Sequence, residues 1–172
     1  MSQLATLTTP RLTLRKPVAA DWDAFRGFFM SNRSETLGGP MSEGVAWRTF
    51  ASELGHWEIN GFGMWAVTVT GTDKAVGLIG PWSPIDWPEN EIGWMIFDPA
   101  TEGTGIAKEA AAAAIADARA TLGWDEVVSY ISPTNIRSVA LAKKLGAYAD
   151  TNAIAPAAYP DAVVYRHPKD TA

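Results

Sequence analysis

Residues 91–120 read EIGWMIFDPATEGTGIAKEAAAAAIADARA. The run Ile92 to Phe97 has the composition of a buried strand, and Asp98-Pro99 ends it. Gly103-Thr104-Gly105 is a small-residue turn, and the alanines at 110–114 open a strong helix-forming stretch, because Ala is the best helix former. A strand that feeds a glycine turn at a helix start is an anion-binding arrangement. The first helical turn has free N–H groups and the positive dipole end, and glycines let a phosphate approach the backbone. The glycines alone also fit a tight turn that holds no ligand. No Gly-Lys-Ser/Thr follows, so this is not a mononucleotide P-loop. A single Gly-x-Gly without repeating strand–helix units does not make a dinucleotide fold.

Outward from this stretch, Leu12–Leu14 reads as a first strand. Asp21 is the expected N-cap of a helix to about Ser31, with Trp22, Phe25, Phe28 and Phe29 on its apolar stripe. Ser42 caps a second helix from Glu43 to Asn60, closed by Gly61. Gly63–Thr70 and Ala75–Gly80 read as strands around a Gly71–Lys74 turn, and residues 81–90 as a loop rich in Pro and Trp. The central helix ends at Leu122-Gly123. A strand at 126–132, a helix from Asn135 to Leu145, a strand at Tyr148 and a last strand at 163–166 complete the chain. With no internal repeat and no linker, residues 1–172 are expected to form one domain. The pattern is α+β: a mostly antiparallel sheet flanked by about four helices, one of which crosses between strands.

A chain of 172 residues with 47% hydrophobic and 19% charged residues is globular. The net charge of −5 disfavours bulk attraction to nucleic acid or to anionic membranes and suits cationic or amine substrates. There is no cysteine, which excludes disulfides, thiolate metal sites and cysteine nucleophiles. No His/Asp/Glu cluster has metal-ligand spacing. With neither a signal peptide nor a long apolar span, the expected location is the cytoplasm.

Glu-Ile-Gly-Trp94, the strand end Phe-Asp-Pro99 and Gly-x-Gly-Ile-Ala-Lys-Glu-Ala110 resemble the acetyl-CoA signature of the GNAT N-acetyltransferases, and more narrowly of the RimJ/RimL group. Thr9-Pro-Arg-Leu-Thr-Leu-Arg15, Asn135-Ile-Arg-Ser138 and Ala-Lys-Lys-Leu-Gly146 extend the likeness over most of the chain in the family's order. The resemblance implies a GNAT-like fold, a mixed and twisted sheet with a central splay between the strands at 92–97 and 127–131. It implies an acetyl-CoA-dependent transfer of an acetyl group to a primary amine, on a protein N-terminus or a small molecule. The alternative is an acyl-CoA-binding sensor that has lost turnover. Relatives are often dimers, so a homodimer is the assembly to test for.

The resemblance also assigns residues. Backbone N–H groups of Gly103, Thr104, Gly105, Ile106 and Ala107 are the implied diphosphate cradle. The edge of Met95, Ile96 and Phe97 is implied to pair with the pantetheine arm, and Asn135 to hydrogen-bond the cofactor. The plainer reading of Asn135 is a helix N-cap. Where relatives often carry a basic residue before the first glycine, this chain has Glu102, expected to point to solvent. Ala142 stands where many relatives have the Tyr that protonates the leaving group; Ser138 is the position offered instead, or a first-turn serine bonded to backbone. Glu91, opening the strand beside the cleft, is the candidate base. Trp82 and Trp87 are expected on the acceptor-facing surface, with Glu35, Glu43 or Asp86 as candidate attractors of a cation. Trp47 and Trp94 are expected in the core.

Overall fold

The structure, a computed structural model, describes residues 6–169. Eight strands form one sheet: β1 (Leu7–Thr8), β2 (Leu12–Arg15), β3 (Trp65–Val69), β4 (Ala75–Trp82), β5 (Glu91–Ile96), β6 (Val127–Ile131), β7 (Tyr148–Ala149) and β8 (Val163–His167). Their spatial order is β1-β2-β3-β4-β5-β6-β8-β7. Four α-helices flank them: α1 (Trp22–Phe29), α2 (Glu43–Asn60), α3 (Ile106–Leu122) and α4 (Ile136–Lys144). The expected α+β class holds. The sheet is antiparallel except at β5–β6, where a parallel pair demands a crossover, and α3 is that crossover.

The alanine run does more than form a helix. Ala110, Ala111, Ala114 and Ala118 are fully buried on the sheet, so α3 lies close against Leu12, Leu14, Val67 and Ile79. On the opposite face α1 and α2 bring Phe25, Phe28 and Phe50 onto Ala66, Leu78 and Phe97. Alternating side chains along β3 and β4 thus serve two cores, which explains why these strands read as continuous apolar runs.

Two local expectations are corrected. Asp21 makes no side-chain cap for α1. Its carboxylate is buried, bonded by Arg15 at 2.7 and 2.8 Å and by the Val18 N–H at 2.8 Å; a charged partner and the turn before α1 outcompete the cap. Pro81, read as loop, lies in β4 opposite Ile92. Beyond Ile79, which pairs with Trp65, β3 has ended; β4 has a free edge there that tolerates a proline.

The expected splay is present. β5 and β6 share one register pair, Glu91 with Val128, where the Val128 N–H donates to the Asn90 carbonyl at 3.0 Å. One residue on, the Ser129 hydroxyl donates to the Ile92 carbonyl at 2.6 Å. Its oxygen faces His167 Nε2 at 2.9 Å, so the ring carries its proton on that nitrogen. Ser129 therefore pins β5, β6 and β8 together where the strands part. Ser129→Ala leaves a buried carbonyl and a buried imidazole N–H without partners. It should cost about 1–3 kcal/mol, measured by denaturant unfolding; no loss would show that the pin contributes nothing.

Candidate active site

The splay opens into a cavity of about 860 Å³. Most of its wall comes from the facing ends of β5 and β6, the start of α4, the turn at 35–41 with α2, and the loops carrying Trp87 and Tyr159, with Phe29, Met64 and Trp82 completing it. Along β5 the side chains alternate. Glu91, Gly93 and Met95 share the face toward α1 and α2, and all three line the cavity.

Glu91 sits where the sequence suggested, at the strand's first residue. Trp87 Nε1–H donates to its Oε2 at 2.6 Å. Burial pushes its carboxyl up to about 7, against the pull of the Trp87 indole and the Tyr130 backbone. Ser138 faces the same cavity from the first turn of α4. Its oxygen accepts from Trp94 Nε1–H at 3.0 Å, which leaves the hydroxyl proton free to be donated. Asn135 is the N-cap: its Oδ1 accepts from the Ser138 N–H at 3.1 Å, and its Nδ2 donates to Thr36 Oγ1 at 2.9 Å. Both ends of its amide are thus engaged within the chain.

Apart from Met95, the remaining candidates lie beside the cavity, not on its wall. Gly105, with φ +84°, is the N-cap of α3 and offers no side chain to close the turn. The exposed Gly103, Thr104 and Gly105 lead into Ile106 and Ala107. Among the described residues, no backbone carbonyl takes the N–H groups of Gly105, Ile106 or Ala107. The Ile96 and Phe97 carbonyls accept from the Arg33 guanidinium, the former at 3.0 Å. Glu102 is corrected: it does not point freely to solvent. Arg33 at 2.6 Å and Arg137 at 2.5 Å hold its two oxygens. These arginines, with Thr36, Thr134, Asn135 and Ile136, line a second pocket of about 210 Å³ that shares Thr36, Thr134 and Asn135 with the first.

Of the tryptophans, Trp82, Trp87 and Trp94 line the cavity. Trp94 also packs in the core, whereas Trp47, expected in the core, is 59% exposed. Glu35 lines the cavity, while Glu43 pairs with Arg26 at 2.7 Å.

Sequence reasoning missed Glu53. It lies on the buried stripe of α2 with Ala46, Phe50 and His56, is 4% exposed, and lines the cavity with Oε2 unpartnered. The signal was available: a carboxylate three residues after Phe50 and three before His56 sits on an apolar helix face. Burial, and then the neighbouring Glu91 charge, push its carboxyl up to about 8. His56, by contrast, is structural. Its Nδ1–H donates to the Phe62 carbonyl at 2.8 Å, its Nε2 accepts from the Ser83 N–H at 3.1 Å, and burial lowers its basicity.

The acetyltransferase (GNAT) domain family model matches residues 11–148. The chain belongs to the GNAT acetyltransferase family. A solved acetyltransferase from Agrobacterium tumefaciens strain C58 is 37% identical, with a TM-score of 0.89 over 98% of this chain and 97% of that one. A putative ribosomal-protein-serine acetyltransferase from Vibrio cholerae is 22% identical, with a TM-score of 0.74 over 96% and 98% of the two chains. The RimL ribosomal L7/L12 alpha-N-protein acetyltransferase is 16% identical, with a TM-score of 0.72 over 96% and 95%. The last two share the GNAT fold with this chain. An exposed glycine turn with unclaimed N–H groups and a gap between β5 and β6 fit the acetyl-CoA that GNAT enzymes use.

The buried carboxyl of Glu53 carries a pH-linked cost. In the unfolded chain it titrates near its ordinary 4.5, in the folded chain near 8. The unfolded state therefore loses its proton first. The stability contributed by the protonated form is complete below about pH 4.5 and drains away as pH rises toward 8. Glu53→Gln cannot ionise. Its Tm should exceed the native value by roughly 10 °C at pH 8 and by only about 2 °C at pH 5. Equal shifts at both pH values in thermal melts would refute the buried charge.

Proposed function

We propose that the chain is an acetyl-CoA-dependent N-acetyltransferase, residues 1–172 working as one domain, that transfers the acetyl group directly to a primary amine. The observation that carries this reading is the segregation of charge between two adjoining pockets. The larger is lined by Glu35, Glu53, Glu91 and Asp161 and, among the described residues, by no Lys, Arg or His. The smaller contains Arg33 and Arg137. An anionic co-substrate and a cationic acceptor are suited to opposite sides of the same splay.

Acetyl-CoA, when bound, supplies the acetyl thioester. The unclaimed N–H groups of Gly105, Ile106 and Ala107 are placed to meet its diphosphate, while that of Thr104 is bonded to the Thr101 carbonyl. The backbone of Met95 is turned to Gly77 and Leu78 of β4, so the pantetheine arm would be met by the gap-facing carbonyls at Ile96 and Phe97, where the Arg33 guanidinium must first give way. Glu91, ionised, takes a proton from the acceptor's ammonium and leaves a neutral amine. As the new C–N bond forms and the C–S bond breaks, the second amine proton ends on the departing sulfur. Ser138 O–H is positioned to donate to that sulfur, its oxygen being held by Trp94. Direct transfer needs no covalent enzyme intermediate.

Because Glu91 must be ionised to accept a proton, the rate should rise with pH through an inflection near 7 and then level off. In Glu91→Gln, kcat should fall by about 10²–10³-fold and the inflection should vanish. The acetyl-CoA dissociation constant, measured by calorimetry, should stay within about twofold of native. Thiol release at the native rate by the variant would remove Glu91 from the base role. Absence of saturable acetyl-CoA binding would overturn the proposal.

A further inference from the structure

Glu53 is the least expected group in the molecule. A carboxylate buried on the apolar face of a helix, with one oxygen unpartnered, is costly to keep. A donor-rich cation is what such an oxygen lacks. An alkylammonium brings three N–H donors and one positive charge. Glu91 lines the same cavity, and its charge is felt at both Glu53 and Tyr159.

Two more carboxylates, Glu35 and Asp161, also line this cavity, but both are exposed residues. The acidic groups thus differ in access: Glu53 is buried, Glu91 half-buried, and Glu35 and Asp161 exposed. The same wall carries Met41, Met64, Trp82 and Trp87. Aromatic faces tolerate a cation and pack against methylenes.

We infer that the acceptor is an aliphatic diamine or polyamine, its reacting ammonium seated at Glu53 and Glu91 and a second ammonium met by Glu35 and Asp161. This rests on the transferase reading above and names its substrate class. Glu53 is then a specificity-determining residue: it holds the amine beside the base and does not itself take the transferred proton. An acceptor bearing a free carboxylate is disfavoured, since the described wall has no cation to pair with it.

Three ligands built on the same four-carbon chain separate these possibilities: butane-1,4-diamine, n-butylamine and 4-aminobutanoate, which end in a cation, a methyl and an anion. Titrated calorimetrically into the full chain, the diamine should bind at least tenfold tighter than n-butylamine, and 4-aminobutanoate weakest. Glu53→Gln should weaken the diamine and n-butylamine alike by about tenfold or more, with acetyl-CoA affinity unchanged. The surface double variant Glu35→Gln/Asp161→Asn, which leaves the interior intact, should weaken the diamine several-fold and spare n-butylamine. Equal affinity for the diamine and 4-aminobutanoate would overturn the inference, as would a double variant with native diamine affinity. Diamine binding without acetyl-CoA binding would sustain the amine seat and sink the transferase reading. Acetyl-CoA binding with no preference for the diamine would do the reverse.

Discussion

A single parallel pairing governs this molecule. β5 and β6 meet at Glu91 and Val128 and then separate. Had they continued in register, the sheet would be closed and there would be no cavity. The separation exposes backbone groups that a sheet normally satisfies internally. The protein meets that cost with side chains: Ser129 takes the Ile92 carbonyl, and Arg33 takes those of Ile96 and Phe97. The crossover that a parallel pair requires is α3, and its buried alanines let it lie close enough to the sheet to seal the opposite face. The glycine turn, the alanine run and the gap are therefore consequences of one topological choice.

The cavity so created is electrostatically expensive. Glu53 and Glu91 both sit where burial disfavours their charged forms. A hydrophobic residue at position 53 would suit the stripe of Ala46 and Phe50 better. Retaining a carboxylate there sacrifices folding stability at neutral and higher pH, and such strain is characteristic of sites where chemistry or recognition takes place. The loop that carries Trp87, the hydrogen-bond donor to Glu91, is itself anchored by Arg166, which grips Glu89 at 2.8 and 3.0 Å. The base is thus oriented by a rigid indole and not by solvent.

What the sequence made legible was whatever rests on local pattern. The strand opening at Glu91, the Gly103–Gly105 turn, the Ala-rich helix, the Ser42 and Asn135 caps and the alternating strands all follow from neighbours within a few residues. What it hid depends on partners far along the chain. Asp21 looks like a cap until Arg15 folds onto it. Trp47 looks like core because tryptophan usually is, yet its position on α2 turns away from the sheet. Glu53 was visible as a polar residue on an apolar face, but only the fold brings it to the same cavity as Glu91. Arg33 gave no signal, since its role is defined by β5 carbonyls some sixty residues away.

Glu102 shows how such distant partners change the meaning of a local departure. Taken with its immediate neighbours, a carboxylate before Gly103 looks like a defect in an anion-binding turn. In the fold it is flanked by Arg33 from the turn before α2 and Arg137 from α4. One negative and two positive groups leave the cluster net positive. The basic character that relatives place within the loop is here brought in from two other elements. Both arginines are at least partly solvent-accessible, and ion pairs of this kind contribute only about 0–1 kcal/mol each. They are accordingly weak enough to be exchanged for another anion, so the acidic residue organises the positive charge without cancelling it.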